Sequence, residues 1–335
     1  MTIVQTGRER PPSLRSRVFR WLSSLAAAGT VVVAGLSLSG FAARWWWRFE
    51  QACHFRVQYF WLLALARVVL LAARRRRLAV LAALAAIVNG LTFLPLYWPP
   101  PIAITGGQKL RVVSFNVLSG NSEREGVLAF VREKQADLVL LLEVSNDWAR
   151  AVERLSDLYP HRHIVPRDDN FGIALLSRIP WRDVQTVELG QAAVPTIVAQ
   201  FEIDQHPVVL IGTHPLPPGS RSMATLRDEQ LVEVAKLVRG QQGAAIVAGD
   251  LNTTDFSPCF RDLLATTSLR DSRQGHGIQA SWGPFPFLEI AIDHCLVSPE
   301  IAVLQRSVGP HLGSDHRPVI VDLRFHGTVD GANRN

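Results

Sequence analysis

The sequence predicts an α/β sandwich, with two sheets inside and helices outside, preceded by three apolar helices that cross a membrane. Three observations predict it. Residues 21–43 carry no charge and residues 78–98 form a second apolar run, each long enough for a bilayer. Over the following 220 or so residues, short Val-, Ile- and Leu-rich runs bounded by turn formers alternate with stretches of helical spacing. Several of those runs are continuously apolar, as in strands covered on both faces.

Between the two long runs, residues 57–73 are shorter and hold Arg67, which lies under two turns from Ala73 and can snorkel to the interface. A buried soluble helix is the competing reading of this segment. Arg8, Arg10, Arg15, Arg17 and Arg20 precede the first span, and residues 74–77, all arginine, separate the second from the third. Residues 99–108 have no charge. The positive-inside bias therefore puts the basic segment 1–20 and the arginine block in the cytoplasm and everything after Trp98 outside, against Arg44, Arg48 and Arg56 in the outer loop. The same side results if the first span is a cleaved signal peptide, for which Gly40 and Ala42 are suitably small. Trp45, Trp46, Trp47, Tyr97 and Trp98 sit where an aromatic belt belongs.

A proline-led linker, 99–108, leads to a domain over 109–325 and a tail over 326–335. Strands are expected at 109–116, 137–143, 171–176, 196–203, 207–213, 244–249, 290–297 and 318–323. Helices are expected at 122–133, 145–155, 221–238 and 257–264. In the third helix Leu226, Leu231, Val234, Leu237 and Val238 keep helical spacing and Gly240 is a stop; Ser257-Pro258 reads as an N-cap with proline in first helical position. Two sheets flanked by helices accommodate this order.

The net charge of +6 divides unevenly. Residues 1–109 hold 14 Lys and Arg against Glu9 and Glu50, whereas the remainder holds 21 bases and 27 acids. An acidic outer domain argues against a partner bound through many phosphates, such as a nucleic acid. Cys53, Cys259 and Cys295 make no metal-binding spacing, and Cys295, inside an apolar run, reads as a small buried hydrophobe.

Five of the apolar runs end on residues that suit a metal and a phosphate: Asn116, Glu143, His214, Asp250 with Asn252, and Asp293. A sixth polar cluster, Gly313-Ser314-Asp315-His316-Arg317-Pro318, precedes the last run. Splitting a phosphate ester needs a divalent cation, an activated water and donors around the phosphoryl oxygens. Glu143 is the foremost metal ligand, because an acid closing a run of leucines is costly to ionise without a cation or other partner. Asn116 offers an amide oxygen of the kind magnesium accepts, and otherwise ties down a turn. His316 reads as general base or electrostatic partner of the attacking water, with Asp293 orienting its ring. Asp250 and Asn252, two apart at a strand end, point the same way. His214 would donate to a phosphoryl oxygen or the leaving group. His294 faces the other side of its strand and is structural. Arg317 serves either a substrate phosphate or a salt bridge, and Arg178 is a solvated turn residue. The aromatic run 282–287 is read as a loop touching lipid or, equally, as ordinary loop packing.

These motifs, in this order over about residues 110–324, resemble the endonuclease/exonuclease/phosphatase (DNase I-like) superfamily. The resemblance implies a four-layer α/β sandwich and a Mg2+-dependent hydrolase of phosphoester bonds, with Mn2+ as the other acceptable cation. It implies that Asp315 completes the metal shell of Asn116 and Glu143, and that Asp250 and Asn252 position the water and hold the phosphate. Three spans followed by this domain also look like the membrane phosphatases of glycopeptide resistance, which act on polyprenyl pyrophosphate carriers. The leading expectation is a multi-pass membrane phosphoesterase, phosphatase or phosphodiesterase, with its site outside the cytoplasm and a lipid-linked substrate. An extracytoplasmic nuclease acting on DNA or RNA is the alternative, and a non-catalytic binding module the third.

Overall fold

The computed structural model describes residues 13–100 and 106–325. Most of the expected basic segment 1–20, the centre of the linker and the whole tail 326–335 therefore lie outside the described residues.

The N-terminal region is four helices: α1 (Leu14–Ser39), α2 (Trp47–Cys53), α3 (Arg56–Ala72) and α4 (Arg76–Phe93). Helix α1 starts earlier than the apolar run because Ser13 caps it, accepting from Ser16 N at 3.4 Å, so Arg15, Arg17 and Arg20 fall inside its first turns. Helices α2 and α3 are bent by 61°. Two helices, over Leu14–Ala42 and Arg76–Tyr97, are long and apolar enough to cross a membrane; α3 is the apolar arm of a third candidate, which α2 enters through the bend. Their faces are inverted relative to a water-soluble bundle. Inside lie Thr30, Ala34, Ser37, Leu63, Ala79, Ala82 and Asn89; outside lie Val31, Val32, Leu62, Leu65, Val68, Leu84, Ile87 and Leu91. Small and polar residues at many of the helix contacts, beside Leu63 and Leu70, with large apolar ones facing out, suit a lipid environment. Helix α3 is not fully buried: Trp61, Leu62, Leu65 and Val68 are exposed on it. One polar knot ties the three long helices: Arg56 donates to Ser37 O at 2.8 Å, and Asn89 Nδ2 donates to Ser37 Oγ at 2.8 Å. The arginine turn closes the far end, where Arg75 donates to Ser23 O.

The C-terminal body runs β1 (Lys109–Asn116), α5 (Arg124–Lys134), β2 (Leu138–Leu142), α6 (Asn146–Val152), β3 (His161–Val165), β4 (Ile173–Ser177), β5 (Trp181–Glu188), β6 (Pro195–Ile203) and β7 (His206–Thr213). It continues α7 (Arg221–Gly240), β8 (Ala244–Asp250), α8 (Pro258–Thr267), β9 (Arg270–Asp271), β10 (Asp293–Val297), β11 (Ile301–Val308) and β12 (Val319–Phe325). Two six-stranded sheets result, ordered β11-β12-β1-β2-β4-β3 and β5-β6-β7-β8-β10-β9.

Strand alternation explains the layers. Leu110, Val112, Leu138, Leu140 and Leu142 point inward onto Leu210, Ile246 and Ala248 of the second sheet. Val113, Phe115, Val139 and Leu141 point outward onto α5 and α6 with Trp148. Ile211, Ala245 and Val247 point the other way, onto Leu231, Val234 and Phe260 of α7 and α8. Strands apolar on both faces thus become the two middle layers of a four-layer sandwich. Cys53 and Cys295 are buried free thiols, Cys295 within the central core.

Candidate active site

The register of the sheets assembles the site. In the parallel pair β1/β2, Asn116 stands opposite Leu142, so Glu143 follows directly beside it. Glu143 leaves the strand at φ 60°, and its carboxylate accepts from Asn116 Nδ2 at 2.9 Å and Ser119 N at 3.2 Å. In the antiparallel pair β8/β10, Asp250 stands directly opposite Asp293. Two acids across one strand pair repel unless a cationic group joins them. His316 does so, with Nδ1 at 2.9 Å from Asp293 Oδ2 and Nε2 at 3.5 Å from Asp250 Oδ2. His214, one residue past β7, brings Nε2 to 3.4 Å from the same Asp250 oxygen. Asn116 Nδ2 links the two halves, at 3.3 Å from both Asp250 Oδ2 and His316 Nε2.

Glycine is required at the entry to the turn. Gly249 has φ 142°, and a Cβ there would lie 1.9 Å from Thr213 O. Beyond Asp250 the chain turns tightly: Asn252 N donates to Asp250 Oδ1 at 2.9 Å and Asn252 Nδ2 to Pro215 O at 2.9 Å, with Asn252 at φ 50°.

Burial and charge act together on the acids and the ring. For Asp250, burial would raise the carboxyl, but His316 and His214 outweigh it and hold the group below its ordinary value. Burial keeps Asp293 above the ordinary range despite His316. For His316, burial would lower the imidazole, yet Asp293 and then Asp250 raise it, to about 10.

Of the residues expected at the site, Asn116, Glu143, His214, Asp250, Asp293 and His316 come together, and Asn252 holds the turn beside them. Asp315 is exposed, and its Oδ2 accepts from Trp282 Nε1 at 2.9 Å. Asn116 Oδ1 is taken by Leu118 N at 3.1 Å, so the amide presents its donor to the site. His294 is buried away from it and bonds Thr253 O at 2.8 Å. Arg317 braces the fold, donating to Gly309 O and pairing with Glu289 at 3.5 Å. Arg178 is exposed at its turn and donates to Gln135 O.

Several supporting residues were not foreseen. Ser314 Oγ donates to Asn116 O at 2.7 Å and accepts from His316 N at 3.0 Å. Ser281 Oγ accepts from Asp293 N, and Arg306 donates to Asp293 O. Ser314 lay inside a recognised motif and Trp282 inside the aromatic run; Ser119 acts through its own backbone N, and Ser281 and Arg306 on backbone groups of Asp293, which leaves no pattern in a sequence.

Residues 113–316 match the Endonuclease/Exonuclease/phosphatase family. No curated protein matches the chain in a sequence comparison. Solved structures share the fold. The endonuclease/exonuclease/phosphatase from Beutenbergia cavernae is 22% identical with TM-score 0.54, over 66% of this chain and 72% of that one. The human Nocturnin catalytic domain with bound sulfate is 18% identical with TM-score 0.54, over 65% and 94%. D. rerio TDP2, complexed with a single-strand DNA product, is 15% identical with TM-score 0.54, over 65% and 99%. With the family pattern matched over most of the sandwich and its motif residues gathered at one rim, this chain belongs to the endonuclease/exonuclease/phosphatase family, hydrolases of phosphoester bonds.

Proposed function

We propose that this protein is a membrane-anchored, divalent-cation-dependent phosphoesterase that works outside the cytoplasm on a lipid-linked phosphate ester. The observation that carries the reading is the buried Asp250–His316–Asp293 group with His214 and Glu143 around it, joined to a helical bundle whose exposed face is apolar.

The donor set fits a hard cation. Glu143 turns its carboxylate to the site with the Asn116 amide at 2.9 Å and Ser119 N at 3.2 Å, and no cationic side chain is paired with it among the described residues. Glu143, with Asn116 and Asp315 as the family pattern implies, would hold Mg2+ or Mn2+; Asn116 would have to turn its amide oxygen inward. The cation supplies charge neutralisation on the phosphate and makes a water acidic. Asp250, held ionised, orients the attacking water and accepts its proton. His316 keeps a proton at neutral pH through its two carboxylate neighbours and donates from Nε2 to a phosphoryl oxygen. His214 donates from Nε2 toward the leaving oxygen, its ring fixed beside Phe171.

Two further features support a lipid substrate. The loop after Trp282 exposes Phe285, Phe287 and Leu288, while its neighbour Glu289 accepts through O from Gln58 at the start of α3. Trp282 in the same loop touches Asp315 and His316, so this apolar surface adjoins both the bundle and the site. The test is phosphate release by the detergent-solubilised full chain from polyprenyl pyrophosphate, phospholipids and DNA, with Mg2+ or with chelator. Mg2+-dependent release from a lipid, lost in Asp250→Ala, is expected. Cleavage of DNA alone would replace this reading with a nuclease.

A further inference from the structure

Helix α2, in the segment between the first two apolar spans, packs on the stretch from Asp250 to Ser257 that links β8 to α8. It grips that stretch at three points. Glu50, 5% exposed, accepts from Ser257 Oγ at 2.6 Å. Both Glu50 oxygens also accept from one Arg227 nitrogen at 2.7 Å, and Arg227 in turn donates to Asn252 O at 3.1 Å. His54, at the end of α2, bonds Thr254 Oγ1 through Nδ1 at 2.9 Å.

The energetics make these contacts more than adhesive. Arg227 is wholly buried on α7 between two carboxylates, Glu50 and the half-exposed Asp228 at 2.7 Å, and removing the buried one leaves the guanidinium only partly compensated. Burial would raise Glu50, but Arg227 and Ser257 hold it below the ordinary carboxyl range, so the pair stays ionic. Burial lowers His54 to about 4, so it meets Thr254 as a neutral ring. The gripped turn carries Asn252 at φ 50°, in the left-handed region that asparagine adopts more readily than most residues.

We infer that α2 is a working part of the active site: Glu50 through Arg227, and His54 through Thr254, are positioning residues that hold the Asp250–Asn252 turn in its reactive geometry. The segment joining two spans therefore sets the rate of chemistry in the sandwich. The inference rests on the reading of Asp250 as part of the hydrolytic machinery.

Two measurements on the full chain in detergent test it: amide hydrogen exchange over residues 250–254, and kcat and KM for a soluble aryl phosphodiester with Mg2+. Glu50→Gln is expected to speed exchange in that turn at least tenfold, leave residues 143–145 unchanged, and lower kcat at least tenfold with KM within twofold. Glu50→Asp should recover most of both. Thr254→Val, which cuts the His54 bond without stranding a charge, should speed exchange in the same turn and covers the case in which Glu50→Gln does not fold. Wild-type exchange in residues 250–254 of either folded variant, or a lowered melting temperature with unchanged kcat, would overturn the inference. If the wild type cleaves no ester, the proposed function fails, while the exchange comparison still decides whether α2 holds the turn.

Discussion

At Asp293 one carboxylate both orients the His316 ring and stabilises its charge. Asp293→Asn keeps the shape and removes the charge, so kcat on a soluble ester is expected to fall about 10^2–10^4-fold with little change in KM; a loss under threefold would mean the pair is only structural. Gly249 tests the backbone rather than the charge. Gly249→Ala drives a methyl into Thr213 O and strains φ, which should lower stability by about 2–4 kcal/mol, read as a lower melting temperature. The residues that were legible, such as Asp250 and Asp293, betray themselves because an acid bordering an apolar run is costly there without a partner. Arg227 and Glu50 were not legible. Each is an ordinary charge on a helix until the fold buries both against each other.

The interior strands announce themselves by being apolar on both faces; the outer strands do not. Strands β3, β5, β9 and β11, none of them anticipated, are the four edges of the two sheets. Edge strands carry polar residues and irregularities that discourage pairing with other chains, as in the exposed, charged β5 and the register shift in β11 after Val303. Their pattern is weak for that reason. At the β9 edge, Asp271 is buried against Arg273 at 2.7 Å. Burial opposes its charge, but Arg273 and His294 outweigh this and depress the carboxyl below its ordinary value. A depressed acid contributes stability above its unfolded value near 4 and loses it as pH falls toward the folded one. The melting-temperature gap between wild type and Asp271→Asn should therefore be widest at pH 6 and shrink below pH 4; a gap independent of pH would show the pair to be inert. The loop carrying Phe285 and Phe287 gives a further prediction. Phe285→Ser with Phe287→Ser should reduce hydrolysis of a membrane-embedded substrate about tenfold or more, by the apolar area lost, while sparing a soluble ester. Equal loss on both substrates would remove the lipid role.

For the molecule as a whole, the arginine turn at 74–77 and the start of α1 lie at one end of the bundle, while α2 and the end of α4 meet the sandwich at the other. With the sandwich outside, Arg76→Cys should resist a membrane-impermeant thiol reagent in intact cells and Glu133→Cys should react, on a Cys259→Ser background. Labelling of Arg76→Cys alone would invert the topology. By itself the sequence determined the layers, the apolar helices and most of the residues at the rim, because burial periodicity and polar strand ends are properties of consecutive residues. Only the tertiary structure decided which acids face one another, that Trp282 takes Asp315, and that an N-terminal helix braces the turn after β8. Those pairings join residues up to 207 positions apart, as in Ser257 with Glu50, and depend on how strands register and helices dock.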